Sequence, residues 1–374
     1  MGFTAENPGV LTTIQDEGRY GYEQFGMSPA GPMDQNAFRT ANLLVGNPMG
    51  ESALEATVLG PTLRFDADNV VAVTGADMGP ALNGQPCPMY QAVAVKAGDQ
   101  LKLGAAKTGC RAYIAFAGGL DVPQVMGSRA TALQNQVGGY QGRKLAKGDR
   151  IGFRAPNPRL PLPRTAPVPA PAGKEAVIRV ILGPQDDMFT KEGIDTFLSQ
   201  PYTVSKDFDR MGCRLEGAVI AHKQDGNIIS DGMATGAIQV PTSGQPIIML
   251  AERQTVGGYT KIATVISADL PLVGQRKTGD VIRFQAVSVE EAHRLWRESA
   301  QALEALKARL DQPQSPPAPV PAQAGTGADP SGPSGPPAPG RTPARAGGPP
   351  PRIPPGTGLR RRFCAGPPEA GRRR

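Results

Sequence analysis

GDRIGF at residues 148–153 and GDVIRF at residues 279–284 are two copies of one short pattern, Gly-Asp-x-(Ile/Leu)-x-(Phe/Leu). A further copy, GDQLKL, lies at residues 98–103. In each copy a Gly-Asp turn leads into a strand whose alternate residues are apolar, and this period of two places one set of side chains on a buried face. The copies at 148 and 279 each close a β-rich block. The pattern therefore predicts two related barrel domains in tandem.

The remaining strands of the two blocks are short and end at turn residues. Val70–Thr74 ends at Gly75, and Val177–Leu182 ends at the Gly183-Pro184 pair. Closely spaced strands with few helices between them favour closed or nearly closed barrels over a doubly wound sheet. The predicted fold class is therefore mainly β, with tandem β-barrel domains and few short helices.

Composition divides the chain into four segments. Residues 1–153 form the first β block, and residues 175–310 form a second block that ends in one helix. Residues 154–174 contain seven prolines and are expected to be an extended linker, because Pro removes a backbone donor and disfavours helix in the residue before it. Residues 311–374 are predicted to be a disordered tail, since a Pro/Gly/Arg-rich composition cannot bury enough apolar surface to fold.

Two helices are predicted. Asp34–Val45 has apolar residues at helical spacing, with Asp34 as N-cap and Gly46 as the C-terminal stop. The second helix spans Ser288–Leu310 and begins with a capping pair of Ser288 and Glu291. We expect its apolar stripe to pack on the second barrel, with a partner helix as the alternative. The stripe consists of Ala292, Leu295, Trp296, Leu303, Leu306 and Leu310.

The net charge of +7 comes from the tail alone. Residues 312–374 contain nine Arg, no Lys, and only Asp329 and Glu369 as acids. Residues 1–311 contain 31 basic and 31 acidic side chains and are neutral overall. A nucleic-acid-binding face on the folded part is therefore not expected.

Cysteine and histidine are too few and too scattered for a metal site or a disulfide framework, so no metal is predicted. The residues concerned are Cys87, Cys110, Cys213, Cys364, His222 and His293. This usage favours a reducing, cytoplasmic compartment. The sequence also lacks the features of a signal peptide and any apolar run of about 18 residues, so we expect a soluble protein without membrane contact.

Glycine-rich polar loops beside strands are the candidate sites. In the first loop, Asp16 and Arg19 flank a glycine and suit a carboxylate or phosphate ligand, with Asp16 as a base or orienting group. A structural ion pair within a turn fits the same spacing. In the second loop, Arg210 and Arg214 lie on either side of Gly212 and suit anion recognition. A solvated surface hairpin fits that loop equally well.

The third candidate site combines residues 230–241 with residues 253–261. Its polar groups lie around two consecutive glycines, where backbone can approach a ligand closely. This density of donors next to apolar strands favours a functional site. The sequence has no phosphate-binding P-loop, no dinucleotide fingerprint after a strand and no G-x-S-x-G elbow. The candidate residues are Asp231, Gln239, Gln254, Thr255, Gly257, Gly258, Tyr259 and Lys261.

At these stretches the sequence resembles the family variously named allophanate hydrolase subunit 2, KipI antagonist, biotin-dependent carboxyltransferase domain protein, or the C-type subunit of 5-oxoprolinase. The matching segments follow one another in order across nearly all of residues 10–290. They are Leu11–Tyr22, Gly31–Pro48, Gly118–Thr131, Gly183–Asp186, Asp209–Gly217, Ile229–Gly244, Arg253–Ala263 and Ala268–Phe284.

The resemblance implies cyclophilin-like barrels and a role as one component of ATP-dependent 5-oxoprolinase. That enzyme opens the lactam C–N bond of 5-oxo-L-proline to give L-glutamate, with ATP, and with it Mg²⁺, as the implied cofactor. The implied partners are a KipI-like (subunit 1-type) protein and the A-type subunit of the same enzyme. Asp16, Asp231 and Lys261 are then the candidate catalytic residues, because carboxylates can hold water and an ammonium can stabilise developing negative charge. The candidate substrate- or nucleotide-binding residues are Arg19, Arg210, Arg214, Gln239, Gln254, Thr255, Gly257, Gly258 and Tyr259.

Two alternative functions are open. The chain is a carboxyltransferase subunit of a urea carboxylase-like system that uses biotin on a separate carrier, or it is a non-catalytic antagonist that binds a KipI-like kinase inhibitor. The 5-oxoprolinase interpretation is favoured over these, because the sequence lacks a biotin-accepting lysine motif and a recognisable biotin carboxylase segment.

Overall fold

The computed structural model describes residues 1–312, and residues 313–374, nearly all of the predicted tail, lie outside the described residues. The described part is mainly β, as predicted. The strands of its first half are β1 (Gly2–Asn7), β2 (Leu11–Gln15), β3 (Ala53–Thr57), β4 (Thr62–Phe65), β5 (Asn69–Asp77), β6 (Ala81–Leu82), β7 (Gln85–Pro86), β8 (Ala92–Val95), β9 (Gln100–Lys102), β10 (Thr108–Phe116), β11 (Leu120–Asp121) and β12 (Arg150–Phe153).

The second half contributes nine strands, and four α-helices occur in residues 1–312. These strands are β13 (Glu175–Leu182), β14 (Tyr202–Phe208), β15 (Gly212–Gly217), β16 (Asn227–Gly232), β17 (Ala237–Gln239), β18 (Ile247–Met249), β19 (Val256–Tyr259), β20 (Lys261–Val265) and β21 (Val281–Ala286). The helices are α1 (Gln35–Leu44), α2 (Lys191–Ser199), α3 (Leu270–Gly274) and α4 (Val289–Asp311).

The first half is built from two sheets around one core. Their strand orders are β11-β12-β1-β4-β9-β6-β7 and β2-β3-β10-β5-β8. Both sheets contribute to one apolar cluster, in which Phe3 stacks on Phe116 with ring centroids 5.0 Å apart. GDRIGF supplies β12, and Ile151 and Phe153 are buried in this cluster while Arg150 is exposed. The period of two predicted for this segment is confirmed.

The second half contains a closed barrel with the strand order β13-β20-β17-β18-β15-β14-β21. GDVIRF supplies β21, which closes the ring by pairing parallel to β13 and antiparallel to β14. Ile282 and Phe284 of β21 are buried in the barrel core. Strands β16 and β19 form a separate two-stranded ribbon. The boundaries of the predicted domains stay a prediction.

The proline-rich stretch 154–174 contains no helix and only one isolated strand bridge. Arg164 fixes this stretch to the helices around it. Its buried guanidinium donates to the carbonyls of Leu43 (2.9 Å), Leu44 (2.9 Å) and Leu310 (2.6 Å). The stretch therefore connects the ends of α1 and α4.

The predicted caps of two helices are present. Asp34 accepts from the Ala37 amide at 3.0 Å at the start of α1, and Ser288 accepts from the Glu291 amide at 3.2 Å at the start of α4. Sequence reasoning missed two shorter helices, α2 and α3. Of the helices in residues 1–312, none has the length and apolarity needed to cross a membrane.

The expected packing of α4 on the second barrel was wrong. Leu303 and Leu310 lie in an apolar cluster with Phe38 and Leu44 of the α1 region and with Val70 of β5. An α-helix of 23 residues is about 35 Å long, enough to cross back from the barrel to the first half. Ala292, Leu303 and Leu310 of the predicted stripe are buried, but Trp296 is 54% exposed, and the stripe did not identify the neighbouring surface.

Candidate functional site

The third predicted stretch is assembled where the ribbon meets the barrel. The chain passes from β19 of the ribbon to β20 of the barrel through a single residue, the fully buried Thr260. Lys261, the first residue of β20, pairs in register with Gln239 of β17. Directly paired residues project to the same face of a sheet, so the lysine and glutamine side chains are neighbours.

Lys261 and Asp231 form an ion pair with unequal burial. The ammonium Nζ lies 3.0 Å from Oδ2 of Asp231 on β16, and the two side chains are 4% and 57% exposed, respectively. The hydrogen bond from Lys261 is the largest cause that holds the pKa of Asp231 below its usual value, followed by donation from the Gly232 amide. The pair therefore joins a buried cation in the barrel to a carboxylate on the solvent side of the ribbon.

Gln185 supports this pair and was missed in the sequence analysis. Its Oε1 accepts from the Lys261 amide at 3.0 Å, and its own backbone amide donates to the Lys261 carbonyl at 3.1 Å. The Gln185 side chain also contributes to the lowered pKa of Asp231. The available signal was its position directly after the Gly183-Pro184 turn that ends β13.

Two glutamine amides converge on Gly257. A methyl group added at Gly257 would lie 2.5 Å from Nε2 of Gln239, 2.6 Å from Cε of Met233 and 3.2 Å from Nε2 of Gln254. The first two contacts are closer than a real Cβ atom shows, so a side chain here would displace the flexible ends of Gln239 and Met233; no left-handed φ requires glycine at this position. The two glutamine side chains and Met233 pack around the buried Gly257 beside the Lys261 pair.

The other predicted members of this stretch lie on the same ribbon. Thr255 accepts from the Met233 amide through its carbonyl at 2.9 Å. A Cβ atom added at Gly258 would lie 3.6 Å from Oγ of Ser230, an ordinary van der Waals distance. Tyr259 is 40% exposed. The structure thus brings the third stretch together as one cluster.

Asp16 and Arg19 lie elsewhere, against the loop at residues 128–130. The Asp16 carboxylate is buried and accepts from Oγ of Ser128 at 2.6 Å, from the Gly18 amide at 2.9 Å and from the Arg129 amide. Arg19 is 1% exposed and donates through Nη2 to the carbonyl of Ala130. Within residues 1–312, no ion pair joins Asp16 to Arg19, and each side chain instead fixes the same loop.

Arg19 keeps two buried nitrogen atoms, Nε and Nη1, without a hydrogen-bond partner among the described residues. Burial lowers the pKa of this guanidinium, and the charges of Asp16 and Glu252 oppose the effect. No hydrogen bond or ion pair in the described part of the chain connects Asp16 or Arg19 to the Lys261 cluster.

Arg210 is the centre of a buried charge cluster. Its Nε donates to Oε1 of Glu252 at 2.5 Å, its Nη1 to Glu55 and its Nη2 to the carbonyl of Gly31 at 2.6 Å. Burial lowers the pKa of Arg210, but the two carboxylates outweigh it and hold the pKa above its usual value. Each of its three nitrogen atoms therefore donates to a protein group. Arg214, the second arginine of this motif, is exposed on β15.

A cavity of about 990 Å³ lies in another part of the described chain. Helices α1 and α4 line it, together with part of the proline-rich stretch, and none of the predicted site residues does so. Size alone favours this cavity as a ligand site. The charged and amide groups favour the Lys261 cluster, and we give chemistry the greater weight because specific recognition requires placed polar groups.

The Lys261 cluster suits one class of ligand. A buried ammonium can bind a carboxylate or another anion, while amide groups can donate to a carbonyl and accept from an N–H. The donor set contains one carboxylate, which does not fit Mg²⁺, since that ion takes octahedral oxygen ligands. The arrangement therefore fits a small anionic amide.

Comparison with known proteins gives consistent results. A family model described as carboxyltransferase domain, subdomain A and B, matches residues 25–286. The C subunit of 5-oxoprolinase from Escherichia coli (strain K12) is 37% identical over 308 residues, which cover 81% of this chain and 96% of that protein. The corresponding 5-oxoprolinase protein of Haemophilus influenzae is 37% identical over 300 residues, covering 80% and 96%. Among solved structures, the urea amidolyase of K. lactis superposes with a TM-score of 0.77 at 34% identity, covering 82% of this chain and 20% of that chain.

Proposed function

The chain belongs to the family of carboxyltransferase domains, subdomain A and B, and on this basis we propose that it is the C subunit of an ATP-dependent 5-oxoprolinase. The observation that carries the proposal is 37% identity to two proteins of that name, with 96% of each covered. The reaction opens the lactam of 5-oxo-L-proline to L-glutamate and breaks a C–N bond.

The chemistry of the Lys261 cluster supports this substrate. 5-Oxo-L-proline carries a carboxylate and a secondary amide, which are the two groups that an ammonium and glutamine amides recognise. Lys261 supplies positive charge for an anionic group of the bound molecule, and Gln239 and Gln254 orient the lactam. A preorganised charge in a buried site is worth far more than the same charge in water. Among the three candidate catalytic residues, we assign this role to Lys261.

Asp16 and Arg210 receive structural roles in this proposal. Three donors already satisfy the Asp16 carboxylate, and three acceptors satisfy the Arg210 guanidinium. Binding a substrate at either residue would break hydrogen bonds in a buried setting, which is costly.

ATP and Mg²⁺ are proposed as requirements of the assembled enzyme. In residues 1–312, no group of three or more His, Cys, Asp or Glu side chains is arranged to hold a metal ion. The donor set of the Lys261 cluster does not fit Mg²⁺ either, so no step of the nucleotide chemistry is assigned to a residue of this chain. When bound in the assembly, ATP would supply the free energy for opening the stable lactam.

The proposed partners are a KipI-like, subunit 1-type protein and the A-type subunit of the same enzyme. Both relatives are named as one of several lettered subunits of 5-oxoprolinase, which supports assembly with other chains. We place the assembly in the cytoplasm, in keeping with the three buried free cysteines Cys87, Cys110 and Cys213 of the described chain.

Carboxyl transfer is the second candidate function. The TM-score of 0.77 with a urea amidolyase favours it, although this chain spans only 20% of that protein. In this case the ligand of the Lys261 cluster would be a carboxyl group delivered by biotin on a separate carrier protein.

The test is release of ADP and glutamate from 5-oxo-L-proline by this chain together with its two partner subunits, each omitted in turn. The proposal expects both products in equal amounts only when all three subunits are present. Glutamate formed at the same rate without this chain would contradict it. Carboxylation of urea by the chain with a biotin carboxylase and a carrier, without oxoprolinase activity, would establish the second candidate.

A further inference from the structure

Within residues 1–312, the Lys261 ammonium has one side-chain partner, Asp231. The two residues lie in elements that differ in burial and in support. Lys261 is 4% exposed and begins a barrel strand, whereas Asp231 is 57% exposed on the ribbon. The ribbon has only two strands, and its register shifts between Asn227 and Asp231. Two-stranded ribbons are marginally stable by themselves, so Asp231 can move at lower cost than Lys261.

We propose that Asp231 is a built-in counter-ion of Lys261 that the carboxylate of the substrate displaces on binding. The inference rests on the proposed function for the identity of the substrate, but it concerns any small carboxylate that reaches the Lys261 ammonium. It gives Asp231 a role in specificity in place of acid–base chemistry.

Charge balance supports the exchange. Leaving a buried ammonium without a counter-ion is strongly unfavourable, and here one carboxylate replaces another on the same Nζ. Asp231 does not lose hydration when it leaves, because its side chain is already more than half exposed. Its carboxylate also keeps the amide of Gly232, which donates to Oδ1 at 2.7 Å.

The cation is fixed while the anion exchanges. Gln185 holds both the amide and the carbonyl of Lys261, so the start of β20 cannot follow Asp231 outward. The buried Gln239 amide, which donates to the Tyr259 carbonyl at 3.5 Å, and the exposed Gln254 lie around Gly257 beside the pair. A ligand with the lactam but without a carboxylate has nothing to offer in exchange for Asp231.

The first experiment measures the chemical reactivity of Lys261 in the full chain. Trace acetylation is followed by mass spectrometry in the wild type, in Asp231→Asn and in the matched control Asp225→Asn. Asp225 is an exposed acid close to the same ribbon, and its carboxylate caps the Asn227 amide. We expect Asp231→Asn to raise the acetylation rate of Lys261 about two- to fivefold, the range expected for losing a partly exposed ion pair, and the control to leave it unchanged.

The second experiment measures binding with two probes that differ by one group. 5-Oxo-L-proline should bind Asp231→Asn about two- to fivefold more tightly than wild type, because no internal carboxylate competes with it. 5-Oxo-L-prolinamide, which lacks the negative charge, should bind both proteins equally. 5-Oxo-L-proline should also suppress acetylation of Lys261, and the amide should not.

The outcomes separate this inference from the proposed function. Weaker binding of 5-oxo-L-proline to Asp231→Asn would overturn the inference, since it would make Asp231 a direct ligand. Failure of every carboxylate tested, acetate included, to protect Lys261 would also overturn it. Protection by acetate, together with no oxoprolinase activity when this chain is combined with its two partner subunits, would support the counter-ion role and reject the proposed function.

Discussion

The Arg210 cluster and the Lys261 cluster contain the same types of group in opposite settings. Arg210 lies between Glu55 and Glu252, and none of the three side chains is more than 3% exposed. Lys261 is almost equally buried, but its partner Asp231 is 57% exposed. The first cation is enclosed on all sides by protein acceptors, and the second faces solvent through its counter-ion.

The difference shows that a buried carboxylate partner holds its cation permanently, whereas an exposed carboxylate partner can be exchanged for another anion. Glu55 belongs to β3 of the first half and Glu252 follows β18 of the second, so Arg210 ties the two halves together. Glu55 is itself held by the Met33 amide and the Tyr113 hydroxyl, both at 2.8 Å. Such a cluster cannot release a partner without unfolding its surroundings. The Lys261 pair can release Asp231 to water.

Replacing Arg210 by Met should produce the largest change in stability. It leaves Glu55 and Glu252 buried without their shared cation, which costs about 3–5 kcal/mol in the free energy of unfolding. Urea denaturation of the full chain measures this loss. Arg214→Met, at an exposed position of the same motif, should change stability by less than about 0.5 kcal/mol. Equal effects of the two substitutions would show that Arg210 contributes no more to stability than an exposed arginine, and the Arg210 cluster would then not differ from the Lys261 pair in this respect.

Replacing Lys261 by Met should separate activity from stability. We expect oxoprolinase activity of the assembled enzyme to fall about 10²- to 10³-fold, the usual cost of removing a preorganised electrostatic donor. The free energy of unfolding should change by about 1 kcal/mol or less, because the orphaned Asp231 is exposed to water. Lys206→Met, at an exposed lysine of β14, is the control and should keep full activity. Unaltered activity of Lys261→Met would move the site elsewhere.

A methyl group at Gly257 tests the packing of polar side chains beside Lys261. In Gly257→Ala the added carbon displaces the flexible ends of Gln239 and Met233, which should cost about 1 kcal/mol of stability. Substrate affinity should fall about tenfold, because the displaced amide no longer faces the ligand. Gly232→Ala, on the same ribbon with no atom within 4 Å of the added carbon, should match the wild type in titration calorimetry.

The fall of stability at alkaline pH tests how dry the barrel core around Cys213 is. Burial raises the pKa of Cys213, three residues after Arg210, from 9.0 to about 12. Between these values the native state binds more protons than the unfolded state, so stability falls as the pH rises from about 9 towards 12. The decrease in urea midpoint from pH 8 to 10 should be smaller in Cys213→Ala. An identical slope in both proteins would show that water reaches this region.

Sequence patterns predicted most of the fold but only part of the site. Alternation in GDRIGF and GDVIRF specified which residues are buried, because a strand places successive side chains on opposite faces. The stripe of α4 marked Leu303 and Leu310 as buried in the same way, but it also included Trp296, which is exposed. It did not specify the neighbour, since amphipathicity contains no information about which surface covers the face.

The residues of the Lys261 cluster were marked as candidates where they are close in the chain. Gln254, Gly257 and Lys261 lie in one short segment, so the polar stretch marked them directly. Gln185 contacts Lys261 from a distant segment of the chain. Its only signal in the sequence was an amide side chain directly after a Gly-Pro turn. The sequence left open whether the Arg210 loop recognises an anion or is a solvated hairpin, because the burial of Arg210 between two carboxylates is decided by tertiary packing.

The return of α4 to the first half has a consequence for how the chain folds during synthesis. Leu303 and Leu310 complete the cluster around Phe38 and Val70, although most of the described chain separates these residues. This part of the apolar surface of the first half therefore stays uncovered on the ribosome until α4 has emerged. Contacts between such distant segments form slowly, and the nascent chain is exposed to aggregation throughout that interval.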